Sequence, residues 1–164
     1  MAPTQSELRA MLRLNADGSL TWLEVSKYHV ERVGSEAGCS RPSQFGKHYW
    51  HVQIGGKKFK RSHIVFCLTH GRWPAQQIDH INGNSLDDRP SNLREATPTQ
   101  NAWNHKTRAK RSPLPMGVRK AKSGRYVARI GVGGRQFTIG TFSSPEAASE
   151  SYQAARRINF GEFA

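Results

Sequence analysis

The stretch IDHINGN at residues 78–84 determines the fold that we predict for the residues around it. The isoleucines flanking Asp79 and His80 favour an extended strand, and the Asn-Gly-Asn sequence at its end favours a turn or loop. Successive side chains of a strand point to opposite faces, so the Asp79 carboxylate and the His80 imidazole are approached from different sides. We therefore predict a polar site at the end of this strand.

A second strand and a helix are predicted to follow the loop. Residues 92–96 (NLREA) form the strand candidate. Thr97 starts the helix, because threonine is a good cap, a proline follows it, and Gln100 completes a capping box. Asn101 and His105 then lie four residues apart, on one face of that helix.

The segment before the IDHINGN stretch is predicted to contain two hairpins and a short helix. Their strand candidates are residues 12–14, 20–22, 49–54 and 57–61. Ser62 is predicted to cap a helix that runs through Leu68 and ends at Gly71. Residues 27–47 show no clear periodicity, and we expect them to be rich in loops.

The charge of the chain indicates a polyanionic partner. Its 164 residues carry a formal net charge of +13, which is typical of proteins that bind nucleic acid and less often of proteins at an anionic membrane surface. No apolar run approaches the roughly 20 residues of a membrane-spanning helix, and residues 1–14 contain no signal-peptide stretch. We expect a cytoplasmic protein. Cys39 and Cys67 are too few for a four-thiolate zinc site, and Cys67 is predicted to be buried.

The Asp-His pair has the chemistry that phosphodiester hydrolysis requires. That reaction needs a nucleophilic water, a base to deprotonate it and positive charge near the leaving oxygen. The Asp79 carboxylate is a hard oxygen ligand that suits magnesium or manganese, and the Asn101 amide oxygen can add a second. Histidine can accept a proton near neutral pH, so His80 is the candidate base if it does not bind the metal.

These residues resemble the HNH endonuclease family, in its phage and intron-homing branch. The family pattern is a DHxNG strand and turn, a central NLR segment and a closing Asn or His on a helix; here these are residues 79–83, 92–94 and Asn101. The resemblance covers about residues 49–105. It implies an α+β fold with a ββα-metal nuclease domain.

The same resemblance implies roles for individual residues. Asp79 and Asn101 would bind the metal, His80 would be the general base, and Asn92 would hold the loop between the two strands through backbone hydrogen bonds. Many members have histidine where this chain has Asn101, and the amide favours magnesium, with manganese as the alternative. His105 is either a further metal ligand or a cation at the helix C-terminus that contacts the helix dipole or a phosphate.

A basic and then proline-rich segment predicts a linker between two domains. We place the linker at residues 108–115, after a nuclease domain at 1–107 with an N-terminal hairpin extension and before a second domain at 116–164. The cations just before it and in its first half are expected to lie along DNA phosphates. They are Lys106, Arg108, Lys110 and Arg111.

The C-terminal segment predicts a small three-stranded antiparallel sheet packed on one helix. The strand candidates are 117–119, 125–131 and 135–142, and the helix candidate is 147–157. Residues 116–160 resemble the DNA-binding domain of plant ethylene-response factors, chiefly in Gly-Thr-Phe at 140–142 and Glu-Ala-Ala at 146–148. The resemblance implies that the sheet docks in a DNA major groove.

The two faces of that sheet are predicted to have different roles. One face packs on the helix through Val118, Tyr126, Ala128, Ile130, Phe137 and Ile139. The DNA-binding candidates are Arg119, Arg125, Arg129, Arg135, Gln136 and Thr138. Thr138 stands where plant members have tryptophan, so their base preference is not carried over.

Taken together, the sequence predicts a metal-dependent, homing-like DNA endonuclease that acts on double-stranded DNA. We expect a monomer, encoded by a phage and active in a bacterial host. Two alternatives remain open from the residues alone. One is a non-catalytic, sequence-specific DNA-binding regulator, and the other is a basic protein directed to RNA.

Overall fold

The computed structural model describes residues 1–24, 32–44, 46–104 and 113–163. The chain forms two compact units, Met1–Pro98 and Thr99–Ala164. Most of the segment predicted as a linker, residues 108–115, lies outside the described residues. No helix in the described part of the chain is long and apolar enough to cross a membrane.

The described residues of the first unit form three small antiparallel sheets and two helices. Along the chain its elements are α1 (Gln5–Met11), β1 (Leu12–Leu14), β2 (Leu20–Trp22), β3 (Cys39–Pro42), β4 (His48–Ile54), β5 (Lys57–Lys60), α2 (Arg61–His70), β6 (Gln77–His80) and β7 (Leu93–Ala96). The strands pair as β1-β2, β3-β4-β5 and β6-β7. A 3-10 turn at Pro90–Asn92 leads into β7.

Helix α2 lies at the centre of the first hydrophobic core. Ile64 and Val65 are fully buried, and Cys67 is 1% exposed, as the sequence predicted. They pack with Leu8 and Val52, among other apolar residues. A helix that is apolar on most sides must be covered on most sides, so α2 organises the surrounding strands.

The two ends of α2 compare differently with the sequence prediction. Gly71 ends the helix in the left-handed conformation, at φ 78°, which confirms the predicted stop. The predicted start was wrong: the helix begins at Arg61, after Lys60, and Ser62 is buried inside its first turn. Strand β5 leads directly into the helix, so no separate cap precedes it.

Two elements of the first unit lie where none was predicted. Helix α1 begins at Gln5 and is capped by Thr4. The Thr4 hydroxyl accepts from the Glu7 backbone N–H, and the Glu7 carboxylate accepts from the Thr4 backbone N–H. Strand β3 falls inside residues 27–47, which were expected to be rich in loops. It is short and exposed throughout, so it lacks the alternation that reveals a half-buried strand.

The second unit confirms the predicted sheet on one helix and, with the first unit, the α+β class. It contains α3 (Pro98–Asn104), β8 (Val118–Lys120), β9 (Tyr126–Val132), β10 (Arg135–Phe142), α4 (Pro145–Phe160) and a 3-10 turn at Gly161–Phe163. The sheet order is β10-β9-β8, antiparallel throughout. Ser144 caps α4, and a proline occupies its first turn.

The sheet and α4 meet over a small core. Ala128 and Ile130 of β9 are buried, as are Ala148 and Tyr152 of α4. Gly117 has φ 76°, and a Cβ there would stand 2.2 Å from the Tyr152 ring, so only glycine fits this approach.

The prediction that Phe137 packs on α4 was wrong, because its side chain is 51% exposed. Phe137 pairs with Ile130 close to the Gly133-Gly134 turn, at the end of the sheet, where fewer neighbours cover a side chain.

Helix α3 packs within the second unit. The Trp103 ring stacks on Phe160 at a centroid distance of 4.6 Å. Arg156 Nη2 donates to the Trp103 carbonyl at 2.9 Å. The sequence analysis grouped this helix with the nuclease domain, whereas its described contacts include the end of α4.

Gly18 provides a test of how the N-terminal hairpin supports the first unit. Its φ is 81°, and a Cβ there would lie 2.3 Å from the Asp88 carbonyl carbon. Gly34 has nearly the same φ, 84°, but open space around it. We expect Gly34→Ala to cost about 1–2 kcal/mol of unfolding free energy from backbone strain. Gly18→Ala should cost roughly 1–3 kcal/mol more from overpacking.

Urea unfolding of both variants, followed by circular dichroism, measures the difference. Equal costs for Gly18→Ala and Gly34→Ala would show that the turn does not bear on the Asp88 backbone.

Candidate active site

Strand β6 carries the two side chains on which the candidate site is built. In the antiparallel pair with β7, Asp79 lies opposite Arg94 and His80 opposite Leu93. Asp79 is 4% exposed and His80 is 7% exposed. Groups of this polarity are buried only at a large cost unless they have partners. Their partners therefore define the site.

Asp79 is bound by the arginine directly across the strand pair. Nε and Nη2 of Arg94 both lie 2.9 Å from Asp79 Oδ2. Two donors from one rigid guanidinium fix the orientation of the carboxylate more tightly than a single contact would. The sequence analysis used Arg94 only as part of a motif, and the structure gives it a direct contact with the proposed metal ligand.

His80 is held by a buried ionic network that consists of Arg61, Asp88 and His80. The Nε2 atom of His80 lies 2.8 Å from Asp88 Oδ1. Arg61 Nε donates to the other Asp88 oxygen at 2.7 Å. Asp88 is 2% exposed and Arg61 is 4% exposed. The network links the start of α2, the loop after β6 and β6 itself.

Arg61 also reaches beyond the network. Its Nη1 donates to Glu36 Oε1 at 2.9 Å, and its Nη2 donates to the Leu86 carbonyl at 3.2 Å. Its guanidinium carbon lies 4.4 Å from the centre of the Trp50 ring. A guanidinium has five N–H donors, and these hydrogen bonds use at least one donor on each of its three nitrogens.

The network determines which nitrogen of His80 can accept a proton. A carboxylate that accepts from an arginine is acceptor-only, so His80 Nε2 must carry the hydrogen that it donates to Asp88. In a neutral imidazole the acceptor nitrogen is then Nδ1.

Asn92 connects the two ends of the loop between β6 and β7. Its Oδ1 accepts from the Asn82 backbone N–H at 3.0 Å, and its Nδ2 donates to the Asp87 carbonyl at 2.7 Å. Arg89, by hydrogen bonding to the Asp87 carboxylate, holds the pKa of that carboxyl well below its usual value. These contacts fix the segment that carries Asp88.

The remaining predicted metal ligands and phosphate contacts follow β7 in the chain. Asn101 lies on α3, in the second unit. His105 lies outside the described residues, as do the candidate phosphate contacts Lys106, Arg108, Lys110 and Arg111. Within the described residues, no group of three or more His, Cys, Asp or Glu side chains is placed to hold a metal ion.

His63 lies half-buried on α2. Burial lowers the pKa of its imidazole, and the positive charge of Lys60 lowers it further. Both effects favour the neutral form of His63.

Sequence reasoning missed Asp88, Arg61 and Arg94 as parts of the site. Asp88 is the second residue of an Asp-Asp-Arg-Pro sequence in a loop, a pattern common in exposed turns. Arg61 follows the basic strand KKFK, and nothing in that local pattern separates a buried cation from solvated ones. Only the long-range contacts identify them.

The predicted DNA-binding face of the second unit has most of its candidates on one side of the sheet. In the strand register Arg129 lies opposite Thr138, and Gln136 lies opposite Gly131. Arg119 of β8 lies opposite Val127, on the face that points away from the buried Ala128 and Ile130.

The remaining two candidates of this face are Arg125 and Arg135. Arg125 precedes β9 and donates to the Thr141 carbonyl at 3.4 Å. Arg135 pairs with Val132, which the alternation places on the helix side of the sheet. The arginine, glutamine and threonine candidates are all exposed.

Comparison with known proteins shows that the chain is similar to HNH endonucleases. A family model described as HNH endonuclease matches residues 60–103. An uncharacterized HNH endonuclease, L560 of Acanthamoeba polyphaga mimivirus, is 34% identical over 110 residues, which cover 66% of this chain and 57% of that protein. Protein 3.8 of Escherichia phage T7 is 32% identical over 110 residues, covering 65% of this chain and 90% of the phage protein.

The chain thus spans little more than half of the mimivirus protein. Among solved structures, it aligns with the HNH homing endonuclease I-HmuI in a structure of DNA binding and cleavage. The TM-score is 0.40 and the identity 20%, over 57% of this chain and 50% of that one.

Replacing the central carboxylate tests the buried ionic network. Asp88→Ala leaves Arg61 and His80 without their partner, and breaking a buried pair in this way costs about 3–5 kcal/mol. The neighbouring Asp87 pairs with Arg89, whose side chain is 55% exposed. Asp87 is itself only 11% exposed and also accepts from Asn82 Nδ2 at 2.7 Å. Because Arg89 remains solvated when this carboxylate is removed, Asp87→Ala should cost less than Asp88→Ala, about 1–2 kcal/mol.

Urea unfolding of the two variants and the wild type measures both costs. If Asp88→Ala costs no more than Asp87→Ala, the buried network does not stabilise the first unit.

Proposed function

The chain belongs to the HNH endonuclease family, and we propose that it hydrolyses phosphodiester bonds of double-stranded DNA in a reaction that depends on a divalent metal. The observation that carries this proposal is the buried pair on β6, in which Asp79 is held by Arg94 and His80 by Asp88. A solvated Asp-His pair in a turn would need neither partner.

His80 is the general base of the proposed reaction. Asp88 accepts the Nε2 hydrogen, so Nδ1 takes the proton from the attacking water. Asp88 also stabilises the imidazolium that forms, because its negative charge lies 2.8 Å from the ring nitrogen. Asp88 is a positioning residue in this scheme, and Arg61 keeps its carboxylate in place.

The donors proposed for the metal fit magnesium or manganese. Asp79 and Asn101 offer hard oxygens, and His105 is a further candidate. A carboxylate has lone pairs on both oxygens, so the contact of Arg94 with Asp79 Oδ2 is compatible with a cation on the same group. A bound metal ion would polarise the scissile phosphate and stabilise charge on the leaving oxygen.

The loop residues contribute by position. Asn92 holds both ends of the loop that carries Asp88, and we propose no chemical step for it. Its loss would displace the carboxylate on which the orientation of His80 depends. A displacement of this kind reduces the rate without changing the reacting groups.

We further propose that the sheet of the second unit targets the enzyme to DNA. This extends the resemblance to ethylene-response factors. Its support is that Arg119, Arg129, Gln136 and Thr138 are exposed on the face opposite α4. Arginines on such a face can read guanine edges or contact phosphates. The basic segment at 106–111 would add affinity that depends on salt.

Cleavage of supercoiled plasmid tests the proposed reaction. The wild-type protein should produce open circles or linear DNA with magnesium and none after chelation. His80→Ala should reduce the rate about 100- to 10,000-fold, as expected for loss of a general base, while DNA binding persists. His48→Ala, at an exposed histidine of β4, serves as the control and should cleave normally.

Plasmid left intact by the wild-type protein with magnesium or manganese would contradict the nuclease proposal and favour a DNA-binding regulator. Cleavage by His80→Ala at the wild-type rate would remove His80 from the reaction.

The targeting proposal is tested by replacing Arg129. Arg129→Ala in the full chain should weaken binding to duplex DNA without metal, by roughly 1–3 kcal/mol for one preferred sequence if it reads a base. If it contacts phosphate, the loss is the same for all sequences and the salt slope falls by about one. Lys120→Ala is the matched control, because Lys120 pairs with Tyr126 on the helix side of the sheet.

The targeting proposal would be contradicted if Arg129→Ala and Lys120→Ala had the same affinity and the same salt slope for every duplex. Arg129 would then contact solvent and not DNA.

A further inference from the structure

The sheet β3-β4-β5 of the first unit has one face on the core and one face toward solvent. Val52 is fully buried, and Ile54 and Phe59 pack beside it on the inner side. Strand alternation and register place the opposite set of side chains together. We call this set the outer face: Cys39, Arg41, Tyr49, His51, Gln53, Lys58 and Lys60.

Among the described residues, the outer face carries three cations and no carboxylate. Arg41, Lys58 and Lys60 are exposed. Strands β3, β4 and β5 contain no Asp or Glu, and no carboxylate of the described residues forms an ion pair with these three cations. By contrast, Arg61, Arg72, Arg89 and Arg94 of the same unit each contact a carboxylate. Like charges gathered on one face repel each other, and an anionic partner relieves that repulsion.

The outer face adjoins the candidate active site. The Tyr49 ring lies 6.5 Å from the His80 ring, measured between centroids, and Lys60 Nζ lies 4.7 Å from the centre of the Tyr49 ring. Ser85, in the loop after β6, donates its hydroxyl hydrogen to the His48 carbonyl at 2.6 Å. Tyr49 therefore lies between Lys60, the nearest cation of the outer face in this arrangement, and His80, the proposed base.

From this arrangement we infer that the outer face binds the phosphate backbone of duplex DNA beside the bond that is cleaved, an inference that rests on the proposed function. A DNA strand with its scissile phosphate at His80 has further phosphates on either side, at a rise of about 3.4 Å per base pair. Lys58 and Lys60 are point charges suited to phosphate, and they carry no sequence information there.

Such contacts would give the first unit its own affinity for DNA, independent of the sheet in the second unit. They would raise the fraction of duplex that is bound at low protein concentration, and they take no part in the chemical step.

Adjacent lysines of β5 provide a matched test. Lys57 and Lys58 are both exposed, but Lys57 pairs with Ile54 on the inner side and Lys58 pairs with Gln53 on the outer face. The full-length protein is titrated with a short DNA duplex in EDTA at several salt concentrations. The variants are Lys57→Ala, Lys58→Ala and the double variant Lys58→Ala/Lys60→Ala.

We expect each outer-face lysine to account for about 0.9 of the slope of log affinity against log salt, so the double variant should lose about 1.8. The loss of affinity should be the same for all duplex sequences, and Lys57→Ala should retain the wild-type slope. Thermal melting of each variant should match the wild type, because the replaced side chains are exposed.

The inference is overturned if the double variant keeps the wild-type slope, or if Lys57→Ala loses as much as Lys58→Ala. Binding in EDTA does not depend on catalysis, so it tests this inference alone. Plasmid cleavage with magnesium tests the proposed function separately. A double variant with a weaker Kd and an unchanged single-turnover rate at saturating protein supports the inference. Loss of that rate with unchanged binding would overturn it.

Discussion

The Asp88 carboxylate has to be satisfied at both oxygens in an interior that excludes water. Arg61 binds one oxygen and His80 the other, and all three groups are almost fully buried. A half-satisfied network of this kind costs more than an apolar core of the same shape. The start of α2, the loop after β6 and β6 itself must therefore keep a common geometry. That geometry also determines the orientation of His80, so the scaffold and the proposed catalytic centre share the same contacts.

Chemistry and affinity are assigned to different surfaces of this protein. The groups proposed for the reaction are buried and paired, as Asp79 is with Arg94 across the strand pair. The groups proposed for DNA binding are exposed, on the outer face of β3-β4-β5 and on the sheet of the second unit. Salt screens buried pairs much less than it screens exposed cations, so the two groups of contacts should differ in their dependence on salt. The exposed cations proposed for DNA binding contribute to the net charge of +13, whereas Asp79 and Asp88 of the proposed catalytic centre are each paired with an arginine.

The sequence predicted the elements whose signals are local. The IDHINGN strand, the hairpin around Gly55-Gly56 and the C-terminal sheet with its helix all follow from alternation and turn residues. The buried network was not predictable, because Arg61 and Asp88 are 27 residues apart and each resembles an exposed charge in its own context. Strand β3 was missed because it is exposed throughout. The exposure of Phe137 was not predicted, because alternation shows which face of the sheet a side chain is on but not how far the helix covers that face.

The packing of Gly18 against the Asp88 backbone bears on how such a chain can be recombined in evolution. The segment that matches the family model, residues 60–103, makes contacts with residues outside it that are distant in the sequence. Gly18 contacts the backbone of Asp88 and Arg89, Glu36 pairs with Arg61, and the Pro3 carbonyl accepts from Trp73 Nε1. A genetic exchange that transferred only the matched segment to another protein would carry Arg61 without Glu36 and Asp88 without the turn beneath it. Exchange boundaries that preserve the buried ionic network should therefore fall before α1, and the N-terminal hairpin should be inherited together with the motif.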